Sequence, residues 1–310
     1  MAAIQRPMTE SAFVRETRVI MGGEAVITIV GGSQAMMDDA FAVAERCETD
    51  WSRFRSDSEI SRINHLAPAA VEVGPLTVAL VAEMIEGFVL TDGDFNPTLL
   101  PSLLSVGYVE SEVQPALRTD RDARKRLFTS LDGIRLDEES VSIPDEMSLD
   151  PGGIGKGFAA DLIAGALMLS GASGAMVSFS GDIVVAGEAP DGKAWRIGIE
   201  NPFTLDGHVG VLGLSEGAVV TSSQRKRRFV GGHHLIDPRT GSSAASRVQT
   251  ATIIARTGVR AEVLAKSAFL REPEALLEWL PTVEAAGLLI LDDGLELQSD
   301  NWSDYVVSDR

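Results

Sequence analysis

Apolar and polar residues alternate between positions 17 and 30, closing on Ala25-Val26-Ile27-Thr28-Ile29-Val30, and this period of two predicts one or two β-strands. The period then lengthens. Residues 33–50 and 75–90 space their apolar positions three and four apart and are predicted helices, the second opening on Pro75 and stopping at Asp92-Gly93. From 93 to 149 the pattern loosens, leaving a charged helix near 120–127 and a hairpin over 136–143. A helix is predicted over 158–169, followed by strands over 175–199, broken at 188–192, and further strands at 209–221 and 250–255. Helices at 260–270 and 272–280 precede a closing hairpin over 287–298 that turns at Asp292-Asp293-Gly294. The order predicts an α+β chain of mixed or antiparallel sheets with flanking helices. No repeat of fixed period and no low-complexity linker divides it. Two closely packed subdomains with a ligand cleft between them are therefore expected, over residues 17–310, after an N-terminal extension of residues 1–16.

Composition narrows the class. With 27 basic and 45 acidic side chains the formal charge is -18, which argues against nucleic acid or an anionic membrane as a partner held by bulk attraction. Any anionic ligand has to be held by local donors. Cys47 is the one cysteine, so no disulfide or thiolate metal cluster can form within the chain, and its place in the 33–50 helix predicts a packed residue. The first residues lack a secretion pattern and no run reaches about 18 apolar positions, so a cytoplasmic location without a membrane anchor is expected.

Two segments carry chemistry. His233-His234-Leu235-Ile236-Asp237-Pro238-Arg239-Thr240-Gly241 gathers imidazole, carboxylate and guanidinium beside a forced turn, and three of the four histidines lie between 208 and 234. A plain Asp-Pro turn with a surface histidine is the alternative. Asp150-Pro151-Gly152-Gly153-Ile154-Gly155-Lys156-Gly157 offers backbone N–H groups and a lysine just before a helix, a form suited to an anion. It is not a Walker loop, because Gly157 follows Lys156, and no buried strand precedes it as a dinucleotide fingerprint requires. A glycine-rich helix start that binds nothing is its alternative.

Together with their neighbours these segments resemble the ApbE family of FAD:protein FMN transferases. Met21-Gly22-Gly23, the run Phe54-Arg55-Ser56-Asp57-Ser58-Glu59-Ile60-Ser61-Arg62-Ile63-Asn64, and Asp92-Gly93-Asp94-Phe95-Asn96-Pro97-Thr98 resemble family motifs in order. Ser180-Gly181-Asp182-Ile183, the block from Trp195 to Pro202, and Val220-Thr221-Ser222-Ser223 continue the match. The resemblance implies an ApbE-like fold and transfer of FMN from FAD to a Ser or Thr hydroxyl of an acceptor protein, with release of AMP. Flavin dinucleotide and an unidentified acceptor protein are the implied partners. A flavin-holding protein without transfer activity, serving as carrier or reservoir, or an FAD pyrophosphatase, is the alternative.

The same resemblance implies the site. His234 is the candidate base for the hydroxyl proton and Asp237 the group that orients it, with Arg239 as an alternative phosphate contact and His233 solvated or capping a strand. Lys156 and the N–H groups of Gly153 to Gly157 are expected to meet phosphate, and Asp150 the ribose or ring edge. Met21, Phe54, Asp94, Phe95, Asn96, Asp182, Thr221 and Ile236 complete the implied flavin and adenosine contacts. Phe54 stands where the family has Tyr, Asn96 where it has Asp, and Ser223 where it has Gly. The implied Mg2+ would take a carbonyl at Gly153 and a carboxylate at Glu262, but Lys266 replaces its threonine ligand. Two readings of Lys266 follow. Either it forms an i,i+4 salt bridge with Glu262, or its ammonium takes over part of the cation's task.

Overall fold

The computed structural model describes residues 12–119, 125–204 and 207–307. Its centre is an eight-stranded sheet of Phe13–Ile20, Gly23–Val30, Gly174–Phe179, Asp182–Gly187, Glu216–Ser223, Val248–Ala255, Ala286–Leu291 and Glu296–Gln298, in that spatial order. Each pair of neighbours runs antiparallel. The period of two sorts the strands' side chains between two cores. Ile27, Val177, Val220 and Ile253 join the core on the helical face, and Val30, Val185, Val219 and Ile254 join the core on the other. On the first face lie α1 (Gln34–Trp51), α5 (Gly155–Leu169) and α6 (Gly258–Ser267). The hairpin Trp195–Glu200 with His208–Leu214, together with Trp302, fills the second.

The remaining helices are α2 (Glu59–Leu66), α3 (Pro75–Leu90), α4 (Leu100–Ser105) and α7 (Pro273–Trp279). With a three-stranded sheet of Val71–Glu72, Arg135–Asp137 and Ser140–Ser142, α2, α3 and α4 belong to a long excursion between the adjacent strands Gly23–Val30 and Gly174–Phe179. The excursion is closed where Ser173 N–H donates to the Val30 carbonyl at 2.8 Å. Helix α2 starts where Ser58 accepts from Ser61 N–H at 3.1 Å, satisfying one orphan donor of its first turn. Ser58→Ala is expected to cost about 1 kcal/mol, read from the urea midpoint; an unchanged midpoint would show the cap to be idle.

Sheet strands and α1, α3, α5 and α6 lie where the pattern predicts them to within a few residues. Departures are local. The first strand begins at Phe13 rather than near 17, and α2 and α4 are helices in segments the pattern leaves irregular. Of the charged helix predicted at 120–127, residues 120–124 lie outside the described residues, and 125–127 are not helical. The histidine segment is not a plain turn. It forms two short hairpins, Arg228–Phe229 with Gly232–His233 and Ile236–Asp237 with Ser242–Ser243. Cys47 is 1% exposed in α1, and burial pushes its thiol up to about 12, which keeps it an inert core residue.

Candidate functional site

Several turns and helix ends converge at one end of the sheet. The two-residue turns Met21-Gly22 and Ser180-Gly181 carry positive φ at both positions, the geometry that closes tight hairpins. The second turn sets Asp182 beside the start of α5. Helices α5 and α6 meet backbone to backbone, since a Cβ on Gly157 would stand 2.4 Å from the Gly258 carbonyl oxygen. Asp161 fixes that contact by accepting from Gly258 N–H at 2.7 Å and Val259 N–H at 3.0 Å. This crossing aims the C-terminal turn of α6, with Lys266, at the glycine segment that opens α5.

The result is a cleft of about 1390 Å³, its open mouth included. Lys156 and His234, far apart in sequence, both line it, as do Met21, Phe54, Asp150 and Lys266. Phe95 and Ile236 are buried in its wall at 4% and 5% exposure. Phe95 packs under the glycine segment, where a Cβ on Gly153 would meet its ring at 3.1 Å.

The polar groups divide into those tied down and those free to meet a ligand. Lys156 pairs with Asp182 and lies 3.8 Å from the Glu262 carboxylate. Burial, partly opposed by Glu262, brings its ammonium down to about 8. Asp150 forms an ion pair with Arg53 at 2.9 Å, the two side chains 9% and 4% exposed, although the approach is off the line of a directed hydrogen bond. Burial raises the Asp150 carboxyl, and the guanidinium opposes the rise. Asp94 pairs with Arg271, and Asn96 donates to the Phe128 carbonyl at 2.8 Å while accepting from Thr98. These side chains brace the walls of the cleft from within.

His234 is the opposite case. Its Nδ1 is buried with no partner among the described residues, and burial, then Arg227 and Lys266, hold the imidazole well below its ordinary range. The expected orienting carboxylate is elsewhere. Asp237 binds Arg239 through its N–H, Nε and second guanidinium nitrogen, each at 2.9 Å, which lowers the carboxyl. The Asp237–Arg239 pair is a local turn lock, so neither residue orients His234 or reaches the cleft lining. Asp237→Asn is accordingly expected to change turnover by less than about threefold, far below the effect of removing a proton-transfer group. A loss above about 30-fold in steady-state rates would restore Asp237 to the site.

Other expectations change too. His233 is buried, 6% exposed, with its ring nitrogen 3.2 Å from the Ala244 carbonyl, because its strand turns it inward instead of towards water. Thr221 faces Thr252 at 2.9 Å on the neighbouring strand and does not line the cleft. The glycine segment keeps few donors for an anion: Ile154 and Gly155 donate to the Pro151 carbonyl and Gly157 to Glu262 at 2.8 Å. Gly153 and Lys156 are left as its uncommitted N–H groups among the described residues.

The metal set does not fit. Glu262 is fully buried, its Oε2 held by Gly157 N–H, and the Lys266 methylene next to the ammonium lies close to Gly153. Lys266 makes no ion pair with the Glu262 carboxylate; it donates to the Glu262 carbonyl at 3.2 Å and to Ser222 Oγ at 3.3 Å. No group of three or more His, Cys, Asp or Glu side chains suited to a metal occurs among the described residues.

Arg53, Tyr108, Glu112 and Arg227 line the cleft without a sequence signal of their role. Arg53 stacks over Phe54 at 4.1 Å and over Tyr108 at 4.5 Å, and Tyr108 stacks on Phe229 at 4.8 Å. Arg227 joins the same wall through Glu112 at 3.3 Å. The only hint was scarcity, since Tyr108 is one of two tyrosines.

Comparison with known proteins finds relatives along most of the chain. A FAD:protein FMN transferase of Vibrio cholerae is 27% identical over 278 residues, 86% of this chain and 83% of the relative. One from Treponema pallidum is 30% identical over 280 residues, 81% of this chain and 76% of the relative. The solved ApbE protein of Thermotoga maritima superposes with a TM-score of 0.84 at 25% identity, covering 96% of this chain and 100% of that one. The flavin transferase ApbE of Vibrio cholerae gives 0.79 at 25% identity, over 95% and 99%. The sequence pattern of the ApbE family matches residues 21–289, and the chain belongs to that family.

Proposed function

We propose that this protein is an FAD:protein FMN transferase. A Ser or Thr hydroxyl oxygen of an acceptor protein attacks the FMN phosphorus of FAD. The bond from that phosphorus to the bridging oxygen breaks, and AMP leaves with the electron pair. The observation that carries this reading is the single cleft that joins Lys156 and the glycine segment to His234. The free N–H groups of Gly153 and Lys156 suit a diphosphate as directed donors, and the Lys156 ammonium, held by Asp182, stands beside them. His234, neutral and with a vacant ring nitrogen, suits acceptance of the hydroxyl proton. Met21, Phe54, Phe95 and Ile236 supply apolar wall for the flavin and adenine rings. The family relatives named as FAD:protein FMN transferases support the same activity.

The experiment is incubation of the full chain with FAD and a protein substrate of the Vibrio cholerae relative. AMP is measured by chromatography, and covalent flavin by in-gel fluorescence of the acceptor. Stoichiometric AMP and flavinylated acceptor are expected. FAD binding with neither product would reject the transferase reading.

A further inference from the structure

Four cations line the cleft, and three of them have a carboxylate: Lys156 has Asp182, Arg53 has Asp150, and Arg227 has Glu112. Lys266 is the exception among the described residues. Its two hydrogen bonds go to a hydroxyl and a backbone carbonyl, and an ammonium has a third N–H to give. Its charge partner, the buried Glu262 carboxylate, lies beyond ion-pair distance, so the half-buried ammonium is only partly compensated, and an anionic ligand in the cleft completes its partners. Lys266 also stands opposite the glycine segment, its Cε 3.5 Å from where a Cβ on Gly153 would be. The helix crossing at Gly157 and Gly258 fixes this placement, so the charge is built into the fold rather than recruited from solution.

We propose that Lys266 is a catalytic residue whose ammonium binds the pyrophosphate of FAD as a tethered cation, making this transferase independent of divalent metal. The inference rests on the transferase reading and adds the source of the charge that the reaction needs. As the acceptor oxygen bonds to the FMN phosphorus and the bridging bond breaks, negative charge grows on the diphosphate oxygens and passes to AMP. The ammonium stabilises that charge without a coordination shell, and the hydroxyl proton goes to His234. Glu262 holds Gly157 N–H through Oε2, and its Oε1, without a hydrogen-bond donor among the described residues, faces the Lys156 ammonium at 3.8 Å, so a tethered cation already stands beside this carboxylate.

The test is a fluorescence titration of the full chain with FAD, in EDTA and in Mg2+, for the wild type, Lys266→Met and Lys266→Gln. Riboflavin, which lacks phosphate, is the control, and thermal melts check that each variant folds. Wild type is expected to bind FAD equally within about twofold with or without the ion and, in a parallel incubation with the acceptor protein, to release AMP in EDTA. Both variants are expected to bind FAD about ten- to hundredfold more weakly while riboflavin binding moves by less than about twofold. FAD affinity unchanged in both folded variants would overturn the proposal. So would wild-type AMP release that requires Mg2+. Wild type that fails to bind FAD in either buffer would instead remove the transferase reading on which the proposal stands.

Discussion

His234→Gln is expected to lower FMN transfer, followed as AMP released in the presence of acceptor, by about 10²–10⁴. FAD affinity should move by no more than about threefold, because the role assigned to this ring is proton transfer rather than ligand binding. The size follows from the ring's position. Its Nδ1 is buried and unpartnered among the described residues, so the imidazole has a lone pair or a proton to offer and none of those residues competes for it. Burial and the cations around it hold it well below its ordinary range, so it is neutral at pH 7. The sign is then fixed: transfer that needs the neutral ring persists from neutral pH downward and fails as pH drops through the lowered value. The acid limb of kcat/KM should therefore lie below about 6.5. A Gln variant within tenfold of wild type, or an acid limb above pH 7, would displace His234 from this role.

Arg53→Met is expected to destabilise the protein by about 3–5 kcal/mol, read from the urea midpoint at constant slope. The guanidinium is almost fully buried, and its removal leaves Asp150 in the wall of the cleft without its countercharge. It also breaks hydrogen bonds to Thr119 Oγ1 at 2.7 Å and to the Tyr108 carbonyl at 3.0 Å, and strips the stacking from Phe54 and Tyr108. The double variant Arg53→Met with Asp150→Asn should recover a large part of the loss, since the uncompensated carboxylate is then gone. If the single variant costs under about 1 kcal/mol, the pair does not bear on stability in the way its burial implies.

The contrast between these two residues shows what was legible in the chain. His234 and Lys156 could be picked out because the chemistry of each residue type is conspicuous in its local setting. Arg53 could not. A buried guanidinium looks like a solvated one until the fold supplies Asp150 from nearly a hundred positions away. Helix α3 was readable because Pro75 opens it and Thr91-Asp92-Gly93 ends it, all within the local sequence. The glycine segment was half legible. Glycine serves both to free an N–H for a ligand and to let two backbones touch, and only Gly258, on another helix, shows that Gly157 does the second. Asp237 misled for a related reason: its spacing from His234 fits a pair, whereas its geometry favours Arg239 two residues on.

The long excursion between the strands Gly23–Val30 and Gly174–Phe179 carries Lys156, while His234 belongs to the chain that follows it. Neither stretch holds the chemistry alone. Until the seam at Val30 and Ser173 has closed, a nascent or partly denatured chain can own an imidazole or a phosphate anchor but not both across one ligand. Competence therefore requires that long-range pairing, and a molecule in which it is open has no working site with which to consume FAD.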